Sequence, residues 1–73
     1  MNAEDFMWKR AWSYIHEQYV KIIKTRKDSN GIDIYDAQVL NNDILGLERG
    51  KTYIFRETEL GEIQWIPYGS SER

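Results

Sequence analysis

The chain contains no cysteine. That excludes a disulfide framework, a thiolate metal site and a cysteine nucleophile. It contains one histidine, His16, and one proline, Pro67. With a single His and no Cys, a metal would have to rely on carboxylates. Asp33, Asp36 and Asp43 are spaced too irregularly for a calcium loop, and Glu57, Glu59 and Glu62 read as solvated turn residues. The five glycines build neither a Gly-x-Gly-x-x-Gly loop nor a P-loop, so no phosphate cradle is expected. There is no long uncharged apolar run to span a membrane. The amino end lacks the basic and apolar regions of a secretory signal. These absences point to a cytoplasmic protein without metal or cofactor.

Catalysis is not expected either. A general base needs an orienting partner and a nucleophile or substrate within reach. His16 has Ser13 three residues away but no acid placed to orient its ring. It therefore reads as a half-exposed surface histidine, and no catalytic residue is assigned.

What the chain does have is aromatic bulk: three Trp, five Tyr and two Phe in 73 residues. A chain this short buries only about 60% of the surface its unfolded form exposes. Large rings recover area per residue, and self-association would recover more. The length implies one domain over residues 1–73.

Residues 3–28 carry the spacing of a helix. At about 100° per residue, Trp8, Ala11, Trp12, Ile15, Tyr19, Ile22 and Ile23 fall in one apolar arc. Arg10, Ser13, Glu17, Lys21 and Lys24 lie opposite, and Glu17 precedes Lys21 by four residues. Asn2 suits the N-cap, Glu4 and Asp5 the first turn, and Lys24, Arg26 and Lys27 the last. Asp28-Ser29-Asn30-Gly31 supplies a stop. Phe6, Met7, Tyr14 and Val20 fall outside the arc.

Residues 31–68 read as strands. Ile32 and Ile34 alternate with Asp33; Tyr35, Ala37 and Val39 then take over, a shift of face that suggests a bulge or bend. A short helix from Asp36 to Leu40 competes with that reading. Thr52 to Glu57 is rich in aromatic and β-branched residues. Thr58-Glu59-Leu60-Gly61 looks like a hairpin turn leading into Glu62–Ile66, and Pro67 ends that strand or lies on an edge. Short turns require antiparallel pairing. The expected fold is α+β: one long N-terminal amphipathic helix on a three- to four-stranded antiparallel meander, with a frayed tail at 69–73.

Charge is uneven. Residues 1–27 hold six basic and three acidic residues, and residues 28–73 hold four basic and nine acidic ones. By elimination, and because Tyr, Trp and Arg dominate interface hot spots, the leading expectation is a protein-binding regulator, adaptor or inhibitor. Its candidate interface comprises Phe6, Met7, Arg10 and Tyr14 with Glu57, Glu59, Glu62, Trp65 and Tyr68. The alternative is a nucleic-acid-binding accessory protein that uses Lys9, Arg10, Lys21, Lys24, Arg26 and Lys27 to grip phosphates. The spare aromatics also allow a homo-oligomer.

Overall fold

A computed structural model describes residues 7–68. It is all-β. Strand β1 (Met7–Ser13), β2 (Gln18–Lys27), β3 (Asp33–Val39), β4 (Thr52–Arg56) and β5 (Gln64–Pro67) form one antiparallel sheet in the order β4-β3-β2-β1-β5. A single 3-10 turn, Glu57–Glu59, is the only helical segment among the described residues. None of these residues forms a helix long and apolar enough to cross a membrane.

The α+β expectation is therefore corrected. Where the spacing predicts a helix over 3–28, residues 7–27 form the β1–β2 hairpin; residues 3–6 lie outside the described part, as does the tail at 69–73. The helical arc is coincidental. Trp8, Trp12, Ile15, Tyr19 and Ile22 recur every three or four residues, but the buried positions alternate. Ala11 and Ser13 are buried on β1, and Gln18, Val20 and Ile22 on β2. The large rings of Trp8, Trp12 and Tyr19 alternate with them on the other face, so both faces look apolar and period two is masked.

Turns define the register. Tyr14–Glu17 joins β1 to β2, with Glu17 in the left-handed region at φ 51°. Asp28-Ser29-Asn30-Gly31, expected as a helix stop, turns β2 into β3. The Asp28 carboxylate accepts the N–H groups of Asn30 (2.8 Å) and Ile32 (3.0 Å), and Gly31 takes φ 79°. Those two bonds hold the Asp28 carboxyl below its ordinary range. β3 runs from Asp33 to Val39 as a strand, not a short helix. The bulge lies on its partner: Ile22 and Lys24 oppose the adjacent residues Ala37 and Asp36, which leaves Ile23 as the extra residue of β2. It bends the long strand, whose first half pairs with β1 and whose second half pairs with β3 alone.

The expected hairpin at residues 58–61 does not form, and β4 and β5 lie on opposite edges of the sheet. After Arg56 the chain makes its 3-10 turn and reaches β1. There Leu60 bridges Ser13, Tyr14 N–H donates to the Glu59 carbonyl (3.2 Å) and Gly61 N–H to the Trp12 carbonyl (2.8 Å). Geometry then demands a rolled sheet. Arg56 lies level with Arg26, and Leu60 with Gln18. On a flat sheet those levels would be about 26 Å apart along the strands and about 19 Å across them. The four residues from Arg56 to Leu60 span about 14 Å at most.

The inside of the roll is the core: Ala11, Val20, Ile22, Tyr35, Ala37, Val39, Phe55 and Leu60, with Leu47, Tyr53 and Ile63 packed around it. Small residues occupy the middle strands, and Phe55 and Leu60 fill the space above them. Ser13 and Gln18 are the buried polar exceptions among the described residues, and Gln18 is the one that is paired. Its side-chain amide donates to the Asn41 carbonyl (2.9 Å) and accepts the Asn41 N–H (3.0 Å). The side chain thus completes the β2–β3 ladder just beyond Val20 and Val39.

Replacing Gln18 by Leu keeps the bulk but leaves both Asn41 groups unpaired. The expected loss is about 1–3 kcal/mol in urea-induced unfolding. A change below about 0.5 kcal/mol would mean that water satisfies Asn41 equally well.

Candidate aromatic and basic groove

The outer face of the sheet is assembled by alternation. β1 contributes Trp8, Arg10 and Trp12; β2 contributes Tyr19 and Lys21 and, past the bulge, Lys24 and Arg26; β3 contributes Asp36 and Gln38. These residues stand opposite the buried set on the same strands. Between them is an open groove of about 890 Å³, lined by Trp8, Trp12, Tyr19, Lys21, Gln38 and Tyr68, with Arg49 and Gly50 of the β3–β4 loop at its rim.

Its rings and cations are already organised. Trp12 meets Tyr19 edge to face at 5.0 Å between centroids. The Arg10 guanidinium lies 4.0 Å over the Tyr19 ring, and its Nε donates to Gln64 Oε1 at 3.0 Å. The Lys21 ammonium stands 5.6 Å over Tyr68. Arg26 makes a two-pronged pair with Asp36 (2.9 and 3.1 Å), and it holds the Asp36 carboxyl below its ordinary range. Glu17 also lines the groove, but Arg10, Lys21, Lys24 and Arg26 on the strands outnumber it and Asp36, which raises local anion concentration.

The phosphate-gripping set is divided by this geometry. Arg10, Lys21, Lys24 and Arg26 share the groove face. Lys9 and Lys27 point the other way: Lys9 stands 5.4 Å over Trp65, and Lys27 pairs with Asp33 at 2.7 Å. The protein-interface set is also divided. Arg10 and Tyr68 belong to the groove side. Met7, opposite Pro67, and Trp65, opposite Lys9, lie on the reverse side of the β1–β5 pair. Tyr14 meets Glu59 at one end of the roll, where the β1–β2 turn bonds to the 3-10 segment and the Tyr14 hydroxyl lies against Gly61, and Glu57 and Glu62 line a hollow beside the same glycine. Phe6 lies outside the described residues. The sequence reading misses Trp8, Trp12 and Tyr19, which it assigns to the core, and Gln38 and Arg49. The alternation Trp8-Arg10-Trp12, read at period two, would have found the first two.

His16 is not a surface histidine. Its Nδ1 lies 2.5 Å from Asp43 Oδ2, with the two side chains only 14% and 9% exposed. The approach is off the line of an aligned N–H···O bond, so the contact is chiefly a close polar pairing. The ring also meets Phe55 edge to face at 5.9 Å. An orienting acid is thus present, but Ser13 Oγ is buried without a hydrogen bond, so the three residues do not form a nucleophilic relay. Asp43 instead organises the loop that carries the groove rim. Its Oδ1 accepts the N–H groups of Leu47 (2.8 Å) and Leu45 (3.1 Å). Burial pushes the Asp43 carboxyl up, but the Leu47 N–H, His16 and the Leu45 N–H outweigh it and hold the group below its ordinary value.

A depressed carboxylate stabilises the fold above its unfolded pKa, near 3.9, and loses that effect as pH falls through the lower folded value. Asp28, Asp36 and Asp43 share this sign. Asp43→Asn should lower the melting temperature at neutral pH and flatten its fall below about pH 4. An unchanged acid limb in a thermal melt series would show that Asp43 is not a stabilising anion. No protein-family model, curated protein or solved structure matches the chain.

Proposed function

We propose that the chain binds single-stranded nucleic acid along the outer face of its sheet. One observation carries this reading: the fold puts Trp8, Trp12, Tyr19 and Tyr68 in the same groove as Lys21, with Arg10 stacked on one of the rings. Bases stack on aromatic faces regardless of sequence, and cations beside them follow the backbone. Gln38, whose amide already reaches the Gly50 carbonyl (3.0 Å), adds a polar contact at the wall. The protein acts by binding, without chemistry of its own, and the absence of cysteine supports a cytoplasmic setting.

The leading expectation from sequence, a protein-binding regulator, adaptor or inhibitor, keeps one specific support. Tyr14, 60% exposed, bonds to Glu59 at the end of the roll, and Glu57 and Glu62 flank the same connection. That acidic, aromatic corner suits a basic partner protein. It stands as the second reading.

Fluorescence anisotropy of a labelled oligothymidylate of about a dozen nucleotides separates them. Binding should weaken with salt at about 0.7 log units per phosphate contact, and Lys21→Ala should make the slope shallower by about that amount. Trp12→Leu, which keeps bulk but removes the π face, should weaken binding roughly 5- to 150-fold. Trp65→Leu, on the reverse side, should leave it unchanged. Absence of binding at low salt would overturn the reading and leave the acidic corner as the functional surface.

A further inference from the structure

We infer that the hollow beside Gly61 binds a primary ammonium group carried on an alkyl stem, whether that of a free alkylamine or of a lysine side chain. The inference holds independently of what the groove binds. The hollow, of about 420 Å³, lies where β3 meets the 3-10 turn and the approach to β5, and it is lined by Tyr35, Glu57, Leu60, Gly61, Glu62 and Ile63.

Three polar groups without partners border it. Glu57 and Glu62 stand on either side of the buried Leu60, and among the described residues neither carboxylate has a hydrogen-bond or ion-pair partner. Exposed acids near a turn are ordinary by themselves, but the third group is not. Tyr35 faces inward on β3 and is only 8% exposed, yet its hydroxyl has no hydrogen-bond partner among the described residues. Unlike Ser13 Oγ, that hydroxyl is not sealed inside the core, so the small exposed part of the residue opens on the hollow it lines. Buried polar groups ordinarily find a partner, and this one points to a ligand. Burial, and then the charges of Glu57 and Asp33, push the Tyr35 phenol above its ordinary range. At neutral pH it keeps its proton and still has lone pairs to accept a bond from a cation.

The chemistry of these groups selects the ligand. A primary ammonium has three donors and no acceptor, which matches the Glu57, Glu62 and Tyr35 oxygens. Leu60 and Ile63 give its carbon stem an apolar wall. A quaternary ammonium would bring charge without donors. A divalent metal needs about six oxygens or more, and among the described residues no three His, Cys, Asp or Glu are grouped to hold one. The chain's own nearby cation, Lys27, is engaged by Asp33 at 2.7 Å. Glu57 and Glu62 are therefore left uncompensated, and their field draws a cation in.

Titration of ¹⁵N-labelled protein with n-butylammonium chloride at constant ionic strength tests this. The amide signals of Leu60, Gly61 and Ile63 should shift and saturate in roughly the millimolar range. Trimethylbutylammonium, with the same stem and charge but no donor, should bind at least about tenfold more weakly. Tyr35→Phe keeps the buried ring and should weaken butylammonium binding about fivefold. Glu57→Gln combined with Glu62→Gln should abolish saturation, whereas Glu48→Gln, on the β3–β4 loop, should change nothing. If Tyr35→Phe fails to fold, the double glutamine variant decides. A parallel titration with Nα-acetyl-lysine methylamide separates the two sources. Tighter binding than butylammonium assigns the hollow to a lysine side chain, weaker binding assigns it to a free amine, and either supports the inference. No saturable shift, equal binding of the trimethyl analogue or of magnesium, or a response unchanged in the double variant would overturn it.

Discussion

The short passage from Arg56 to Leu60 governs this molecule. Four residues must carry the chain from one edge strand to the far side of β1. A flat sheet cannot meet that condition, so the sheet rolls, aided by the bulge at Ile23. Rolling gives the small domain an inside, which Ala11, Val20, Ala37, Val39 and Phe55 fill. It also leaves an outside. Trp8, Trp12 and Tyr19 stand there because their neighbours in sequence face inward.

The electrostatics follow from the same alternation. The basic residues at positions 10, 21, 24 and 26 come to one face because they alternate with buried ones across a bulge that resets the phase. Glu57, Glu59 and Glu62 sit on the connection and its exit, at the end of the roll. Polar side chains stabilise the loops without a regular ladder. Asp28 and Asp43 each accept two backbone N–H groups, and Gln18 mimics a strand residue toward Asn41. Most of these bonds span only two to four residues, so they order the turns locally. The Gln18–Asn41 bonds, with the close His16–Asp43 contact, reach further and fasten the β1–β2 hairpin to the loop after β3.

Part of this was legible in the sequence. The strands at β3, β4 and β5 carry β-branched and aromatic residues between turn clusters, and Gly31 and Gly50 take the positive φ their turns require. The β1–β2 hairpin was not legible. Its turn, Tyr14-Ile15-His16-Glu17, contains no Gly, Pro, Asn or Asp, and Glu17 carries the left-handed backbone that Gly ordinarily would. Its core positions include Ser13 and Gln18, polar residues that periodicity counts as outside. The run Tyr19-Val20-Lys21-Ile22-Ile23-Lys24-Thr25 did hold a β-propensity signal, which the helical spacing of the rings outweighed. Pairings across the roll, such as His16 with Asp43 or Tyr14 with Glu59, depend on tertiary closure. No local pattern encodes them.

The two faces of this sheet differ in kind, one a core and the other a face of rings and cations proposed to bind nucleic acid. The three tryptophans report on it directly. In a ¹H–¹⁵N spectrum of the folded protein titrated with unlabelled oligothymidylate, the indole N–H signals of Trp8 and Trp12 should shift or broaden while that of Trp65 stays in place. Perturbation of Trp65 alone, or of none of the three at saturating oligonucleotide, would contradict it.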